Sequence, residues 1–284
     1  HGPSGFGMSY GEGQRKMATQ DVWDVVVVGG GPSGATAAHD LAKQGRSVLL
    51  VDKAGRIKPC GGAIPPRLIR DFDIPQHMLV ARVNCARMIA PSEKEVDMPI
   101  DGGYVGMVDR DSFDEFLRVR AAEAGATRAT GSFEKLERDA DGVTVVTYTP
   151  KGAEEDSAPI RLRTRCVIGA DGARSQVAKQ SVPGADKIPC VFAYHEIVEA
   201  PTNEAPKYDP LRCDVFYQGK LSPDFYAWIF PHGDKVSIGT GSAHKGFSLR
   251  GSVGDLRAAT GLDKVKTVRR EGAPIPLKPL KKWD

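Results

Sequence analysis

The 284-residue sequence lacks the usual marks of membrane-spanning, nucleic-acid-binding and metal-binding proteins. No apolar stretch approaches the roughly 18 residues that a transmembrane helix needs. The formal net charge is only +3 and the basic residues are scattered, which argues against nucleic acid as a partner. The six histidines do not occur in a metal-binding spacing such as His-Glu-x-x-His. What remains is an ordinary globular composition in a chain long enough for two domains.

Cysteine is also scarce, and the five residues of this type include no Cys-x-x-Cys pair. Such an odd, widely spaced set indicates reduced thiols in a reducing compartment. Residues 1–20 are rich in glycine and polar residues, and they lack the apolar core of a signal peptide. We interpret them as a disordered leader and expect a cytoplasmic protein.

The stretch from Asp24 to Asp52 predicts a dinucleotide site. It opens with a β-branched run, Val25–Val28, which favours a strand buried on both faces. The turn Gly29–Gly34 fits Gly-x-Gly-x-x-Gly, a helix is predicted over Ala35–Gln44, and a second strand over Ser47–Val51 ends in an acid. This order of elements within about 30 residues is the context that the motif requires.

Each part of this unit has a physical task. Gly29 allows the tight turn, Gly31 lets backbone N–H groups approach a pyrophosphate, and Gly34 lets the helix pack against the strand. The positive end of the helix dipole then faces the phosphates, and Asp52 can accept hydrogen bonds from a ribose diol. The alternative is a glycine-rich βαβ unit that binds no ligand.

Three further segments contain candidate site residues. Two prolines and two glycines surround Cys60 in a rigid loop, which is either functional or a simple connection. A helix is predicted from an N-cap at Asp111, and Arg110 before it is either a surface charge or a ligand contact. The apolar strand Cys166–Ala170 runs into Asp171-Gly172, which suggests a carboxylate at the edge of the sheet.

The second half of the sequence predicts an antiparallel sheet. A hairpin is predicted earlier, over Val83–Ala90 and Lys94–Met98. The later predicted strands are Cys190–Val198, Cys213–Tyr217, Asp224–Phe230 and Lys235–Gly241. Tyr226, Trp228 and Phe230 alternate along one strand and therefore share one face. This row forms either sheet core or one wall of an apolar ligand channel.

These motifs resemble a known superfamily. The run Gly-Gly-Gly-Pro-Ser-Gly-Ala with Asp52, followed by Gly169-Ala170-Asp171-Gly172, resembles flavoprotein hydroxylase-like proteins. The runs at 57–65, 104–118, 221–231 and 236–241 are similar to geranylgeranyl reductases, in particular the branch of chlorophyll and bacteriochlorophyll synthesis. The resemblance extends over about residues 21–284.

The resemblance implies an α/β fold with a Rossmann-like FAD-binding domain and a second, mostly antiparallel β substrate domain. The expected division assigns 21–82 and 104–185 to the first domain, and 83–103 and 186–277 to the second. Members of the superfamily carry a third FAD element, which would follow Asp284. We therefore expect a C-terminally truncated chain in which 278–284 begins a further FAD and lipid segment, and a weakened flavin site.

The resemblance also implies an enzyme that uses FAD and NADPH to saturate a geranylgeranyl tail, carried on a diphosphate or esterified to the pigment. Cys60 and Tyr226 are the implied proton donors, and Tyr226, Trp228 and Phe230 would border the isoprenoid. The implied cofactor contacts are Gly29, Gly31, Ser33, Gly34, Asp52, Lys53, Cys60, Gly61, Gly62, Arg110, Asp171 and Gly172.

A lipophilic substrate would add peripheral contact with a photosynthetic membrane. Three alternatives stay open on the residues alone. They are an aromatic-ring monooxygenase, a reductase of archaeal-type membrane lipids, and a non-catalytic subunit that binds nucleotide or lipid.

Overall fold

The computed structural model describes residues 21–283 apart from Glu204, so the leader interpreted at 1–20 lies outside the described residues. The strands are β1 (Trp23–Val28), β2 (Val48–Asp52), β3 (Ala63–Ile64), β4 (Ala81–Val83), β5 (Cys85–Ile89), β6 (Glu95–Pro99), β7 (Val105–Met107), β8 (Thr127–Arg138), β9 (Thr144–Pro150), β10 (Ile160–Gly169), β11 (Cys190–Glu199), β12 (Arg212–Phe216), β13 (Ala227–His232), β14 (Lys235–Ser242) and β15 (Thr267–Pro276). The α-helices are α1 (Pro32–Lys43), α2 (Pro66–Asp71), α3 (Arg110–Glu123), α4 (Gln176–Ser181) and α5 (Leu249–Thr260).

The chain forms two compact units. Unit 1 comprises the described parts of 1–56, 114–188 and 280–284, and unit 2 comprises 57–113 and 189–279. The sequence had suggested that 57–82 and 104–113 accompany the first domain. They group with unit 2 because β3, β4 and β7 form their own small sheet, and because β5 pairs with β12. The assignment of one domain to FAD and of the other to the substrate stays a prediction.

Unit 1 is a closed five-stranded sheet in the order β1-β10-β9-β8-β2. β1 runs parallel to both β2 and β10, whereas β9 is antiparallel to its two neighbours. Val25 and Val27 pack in one apolar cluster with Ala38 of α1, and Val26 and Val28 pack in another with Leu49. The prediction of a strand buried on both faces is therefore confirmed, as is the mixed α/β fold.

The first helix begins earlier than the sequence predicted. α1 starts at Pro32, three residues before the predicted Ala35, because proline fits the first helical position, where no N–H is required. α3 likewise begins at Arg110 and places Asp111 in its first turn, so the prediction of Asp111 as the residue before the helix was wrong by two residues.

Unit 2 contains a seven-stranded sheet in the order β15-β11-β14-β13-β12-β5-β6. The predicted hairpin is present as the antiparallel pair β5 and β6. Helix α5 packs on one face, where Val253 and Leu256 join Ile229 and Ile238 in an apolar cluster. The alternation of β13 directs Trp228, Phe230 and His232 to the opposite face, because Ala227 and Ile229 belong to that cluster.

Among the described residues, no helix has the length and apolar character that crossing a membrane requires.

Candidate functional site

The glycine turn of unit 1 is packed so closely that side chains cannot be added. Gly29 has a φ of 105°, and a Cβ there would lie 2.3 Å from the carbonyl oxygen of Ala170. A Cβ on Gly34 would lie 1.8 Å from the carbonyl oxygen of Gly29. The first contact brings the turn against the segment that leads to Asp171. The second lets α1 cross directly over the turn, as the motif predicts.

The N-terminus of α1 carries no side-chain cap. Gly31 occupies the capping position and, being a glycine, has no side chain that could accept a hydrogen bond from the helix. The first N–H groups of a helix have no partner within it, and the helix dipole gives this end a partial positive charge. The arrangement therefore suits a phosphate group, which accepts such hydrogen bonds.

Asp52 holds the turn from the adjacent strand. Its Oδ1 accepts the Gly30 N–H at 3.0 Å, and its Oδ2 accepts the Ala54 N–H at 3.2 Å. Arg118 Nη1 lies 3.7 Å from Oδ2 and donates to the carbonyl oxygen of Gly30 at 2.9 Å. A carboxylate has about four acceptor positions, so Asp52 retains capacity for a ribose hydroxyl.

Arg118 was not among the site residues predicted from the sequence. It lies 88 residues from Gly30, so no local pattern connects the two. Its one signal was its position at the end of the run 104–118, which resembles geranylgeranyl reductases.

Asp171 has a structural task that the sequence did not indicate. One carboxylate oxygen accepts the Ser175 hydroxyl, and the other accepts the N–H groups of Gln176 at 2.8 Å and Val177 at 3.3 Å. These bonds cap α4 in the manner of an N-terminal acid. The cofactor contact expected of Asp171 and its neighbour Gly172 stays a prediction, as do those of Ser33 and Lys53.

These features of unit 1 fit the adenosine diphosphate half of FAD. Added Cβ atoms at Gly29 and Gly34 would collide with backbone, the helix N-terminus is uncapped, and an acid closes the second strand. That combination meets the steric and electrostatic needs of a bound pyrophosphate and ribose.

In unit 2, the Cys60-Gly61-Gly62 segment lies directly against β13. A Cβ on Gly61 would lie 2.9 Å from the ring of Phe230. Gly62 has a φ of 73°, and a Cβ there would lie 2.4 Å from the Val108 carbonyl oxygen and 2.6 Å from His232 Cε1. Both glycines are therefore required for this contact, which joins two motifs that the sequence showed only separately.

His232, which was not predicted from the sequence, stabilises the contact between the Cys60–Gly62 segment and β13. Its Nε2 lies 2.9 Å from the carbonyl oxygen of Gly61, and its Nδ1 lies 3.1 Å from Asp109 Oδ1. The hydrogen bond from His232 holds the pKa of Asp109 below its usual range, despite partial burial. The available signal was spacing, because His232 continues the alternation of Trp228 and Phe230 along β13.

The predicted aromatic row is present on one side of the sheet. The ring centroids of Tyr226 and Trp228 are 5.9 Å apart, and those of Trp228 and Phe230 are 6.1 Å apart. Tyr226 immediately precedes β13 and also contacts Phe225 and Tyr217, at 4.3 and 6.1 Å. The result is a continuous row of rings in which Trp228 is buried, while Tyr226 and Phe230 are half-buried. Contact of this row with an isoprenoid stays a prediction.

A buried polar chain orients Trp228. The indole Nε1 donates to Ser237 Oγ at 3.1 Å, and this oxygen lies 2.8 Å from His195 Nδ1. His195 Nε2 lies 2.8 Å from Glu271 Oε1. Burial alone would raise the pKa of Glu271, but the bond to His195 and the charge of Arg269 hold it below its usual range.

The two expected proton donors differ in exposure. Burial raises the pKa of Tyr226, with smaller contributions from Tyr217 and Cys60, so its hydroxyl stays protonated at neutral pH. Cys60 is exposed, and its Sγ accepts the Gly62 N–H at 3.3 Å. Both residues belong to unit 2.

A shallow recess adjoins this part of unit 2. It is lined by Lys58, Cys60, Val108, Asp109, Arg110, Ile197, His232, Lys235, Arg269 and Glu271. It thus brings Cys60 and Arg110, which the sequence analysis had named as cofactor contacts, to one concave surface.

Comparisons with known proteins agree with this geometry. Residues 24–79 match the FAD dependent oxidoreductase family, and residues 67–189 match the FAD binding domain family. The fold resembles the crystal structure of a geranylgeranyl bacteriochlorophyll reductase-like protein from Thermoplasma acidophilum, with a TM-score of 0.78 and 23% identity. That match covers 91% of this chain and 67% of the other.

Two curated relatives are similar in sequence. The geranylgeranyl diphosphate reductase of Rhodobacter capsulatus is 58% identical over 92% of this chain and 65% of its own length. The chloroplastic geranylgeranyl diphosphate reductase of Oryza sativa is 38% identical over 90% of this chain and 57% of its own length. The chain therefore spans less than two thirds of these relatives.

Proposed function

Because the chain belongs to the geranylgeranyl reductase family, we propose that it serves as an FAD-dependent reductase of geranylgeranyl chains in (bacterio)chlorophyll biosynthesis. The electron source is NADPH, and the substrate is geranylgeranyl diphosphate or the geranylgeranyl pigment ester, converted to the phytyl form. The observation that carries the proposal is the contact of Gly61 with Phe230, which joins the cysteine loop to the aromatic row. The lipophilic substrate also favours peripheral contact with a photosynthetic membrane.

The chemistry explains why these two motifs meet. An isolated trisubstituted alkene has no carbonyl group to accept electron density, so a proton must reach one carbon as a hydride reaches the other. FAD, when bound, supplies that hydride. The residues of the chain have three remaining tasks, which are to orient the alkene, exclude water and deliver the proton.

The aromatic row suits the first two tasks. Tyr226, Trp228 and Phe230 form a row of adjacent rings, and an isoprenoid would lie along the half-buried Tyr226 and Phe230 with the buried Trp228 between them. Positive charge develops on the alkene as the proton arrives, and an aromatic face stabilises a cation by about 0.5–2 kcal/mol. The row therefore favours the charged transition state while it keeps water away.

Cys60 and Tyr226 are the proton donors that we propose. The thiol of Cys60 is exposed beside the row, and the hydroxyl of Tyr226 is held protonated by burial. A free thiol is mostly protonated at neutral pH and is a stronger acid than a phenol. We therefore assign the donation to Cys60, with Tyr226 as a relay or substitute.

The cofactor contacts divide between two regions. Gly29, Gly31, Ser33, Gly34, Asp52 and Lys53, with Asp171 and Gly172, would hold the adenosine diphosphate half of FAD. Cys60, Gly61, Gly62 and Arg110 would contact the flavin half. The family matches to FAD proteins support both assignments.

A strictly anaerobic assay tests the proposal. The protein is loaded with FAD and supplied with NADPH and, separately, geranylgeranyl diphosphate, the geranylgeranyl pigment ester and an unsaturated archaeal-type glycerolipid. We expect hydrogen to be added to the first or second of these, as measured by mass spectrometry. Turnover that requires oxygen would instead indicate a monooxygenase, and reduction of the glycerolipid alone would indicate a lipid reductase.

A further inference from the structure

The side chain of His232 sits between two acceptors. It is only 6% exposed, with the Gly61 carbonyl oxygen 2.9 Å from Nε2 and a carboxylate oxygen of Asp109 3.1 Å from Nδ1. A carbonyl oxygen can only accept, so Nε2 must carry a hydrogen. A carboxylate also only accepts, so Asp109 offers a second acceptor on the opposite side of the imidazole ring.

Other charged groups surround this pair. Lys235, which pairs with His232 across β13 and β14, and Arg269 on β15 both lower the pKa of Asp109. Cys60 and Glu271 line the same recess. Asp109 is therefore maintained as a carboxylate, which is the form that accepts a hydrogen bond from the His232 ring.

The segment held by His232 is fixed at several points. The Val108 N–H donates to the Gly62 carbonyl oxygen at 2.9 Å, and the Gly62 N–H donates to Cys60 Sγ at 3.3 Å. His232 adds the bond to the carbonyl oxygen of Gly61, the residue next to Cys60. This bond fixes the peptide plane between Gly61 and Gly62, and Gly62 in turn orients the thiol.

We propose that His232 is a positioning residue that, held by Asp109, fixes the Cys60–Gly62 backbone and thereby aims the Cys60 thiol. His232 does not itself donate to the substrate in this arrangement. Its effect on turnover rests on the proposed function, whereas its effect on the backbone and on the thiol does not.

Two substitutions separate positioning from packing. The amide nitrogen of His232→Gln can replace Nε2 and keep the bond to Gly61, whereas that of His232→Asn can replace only Nδ1 and keep the bond to Asp109. Both variants remove the imidazole ring. Hydrogen–deuterium exchange of residues 60–64 and 105–109, and alkylation of Cys60 followed by mass spectrometry, are measured in the FAD-loaded protein.

We expect exchange in both segments and the Cys60 alkylation rate to change by about tenfold or more in His232→Asn, and by much less in His232→Gln. In the alkene reduction assay, kcat should fall in the same order while KM for the isoprenoid stays constant. Asp109→Asn, which keeps the shape but removes the charge, should give an intermediate exchange rate. It also provides the comparison if His232→Asn does not fold.

Equal exchange and equal alkylation in the Asn and Gln variants would overturn the proposal and leave His232 a packing residue. A loss of turnover in both variants with a normal thiol would also contradict it. If the unmodified protein reduces no alkene, the proposed function fails, but the difference between the two variants in exchange and alkylation still decides the positioning role.

Discussion

At the scale of single residues, the thiol of Cys60 offers the most direct test of the chemistry. Cys60→Ser keeps the size and hydrogen bonding of the side chain, but a hydroxyl is a far weaker acid than a thiol. We expect alkene reduction to fall by roughly 10²-fold or more, the usual contribution of a general acid. FAD content and the reduction of flavin by NADPH should be preserved.

Cys166→Ser is the matched control for this experiment. Cys166 is also an exposed free cysteine, but it lies on β10 of unit 1, whereas the aromatic row belongs to unit 2. Its replacement should leave alkene reduction unchanged. Normal turnover in Cys60→Ser would reduce Cys60 to a packing role, and Tyr226→Phe would then be the next variant to measure.

Asp52 and Gly31 are the residues on which adenosine binding should depend. Gly31→Val introduces a branched side chain where backbone must approach a phosphate. Asp52→Ala removes the ribose acceptor and also the partner of the Gly30 N–H. We expect both variants to bind FAD more weakly in a fluorescence titration, with little change in circular dichroism. Asp40→Ala, an exposed change on α1, should have no effect.

Unchanged FAD affinity in both variants would mean that this turn does not bind the cofactor.

The roles of Gly29 and Gly34 were predictable, because the tasks of a short glycine motif follow from its spacing. Arg118 and His232 were not predictable, because their partners lie 88 and 171 residues away. Sequence periodicity describes local structure and carries no information on such distant pairs.

At the scale of elements, the packing of β13 on β14 can be tested at a glycine. A Cβ on Gly239 would lie 2.2 Å from Cζ2 of Trp228, so the indole rests on this position. Gly239→Ala should displace the ring, lower the free energy of unfolding by about 1–3 kcal/mol and change the tryptophan fluorescence. Chemical denaturation measures the first effect and emission spectra the second.

Gly254→Ala is the control within the same unit. Gly254 lies inside α5, and a Cβ there would meet no atom within 4 Å. Alanine is favoured over glycine in a helix interior, so this variant should be more stable by about 0.5–1 kcal/mol. If both glycine variants lose stability equally, the indole does not depend on the space at Gly239.

The polar chain between β11, β14 and β15 predicts an acid-dependent stability. The pKa of Glu271 is lower in the folded protein, so its carboxylate stabilises the fold at pH values above its unfolded pKa, about 4.3. This contribution disappears as the pH falls through the lower folded pKa. The difference in unfolding free energy between the unmodified protein and Glu271→Gln should therefore shrink as the pH drops below about 4.3. A constant difference would exclude this role for Glu271.

Two elements, α5 and β15, were not predicted from the sequence, although features of the sequence explain both. α5 is bounded by Ser248, whose hydroxyl accepts the Gly251 N–H, and by Gly261 with a φ of 74°, which are ordinary helix start and stop signals. β15 was obscured by Pro274 and Pro276, which argue against a strand within a sheet. It forms because it is an edge strand that pairs with β11 alone, where proline is tolerated.

At the scale of the whole molecule, the relation to longer relatives bears on how firmly FAD is held. About a third of the Rhodobacter relative has no counterpart in this chain, which covers 65% of that protein. Each hydrogen bond that such a part contributes is worth roughly 0.5–3 kcal/mol, or up to about a hundredfold in affinity. We expect the 284-residue chain to purify partly or wholly without FAD, as shown by its absorbance spectrum after dialysis.

A chimera separates weak FAD binding that is caused by missing contacts from weak binding that is caused by a folding defect. Joining the chain to the parts of the Rhodobacter relative that it does not cover should lower the Kd for FAD by at least tenfold, whereas Asp52→Ala should weaken binding in both proteins. The Asp52 variant thus verifies that both proteins use the same adenosine cradle of unit 1. Stoichiometric FAD that survives extensive dialysis of the 284-residue chain would show that these residues suffice, because the contacts of the remaining third would then add nothing measurable.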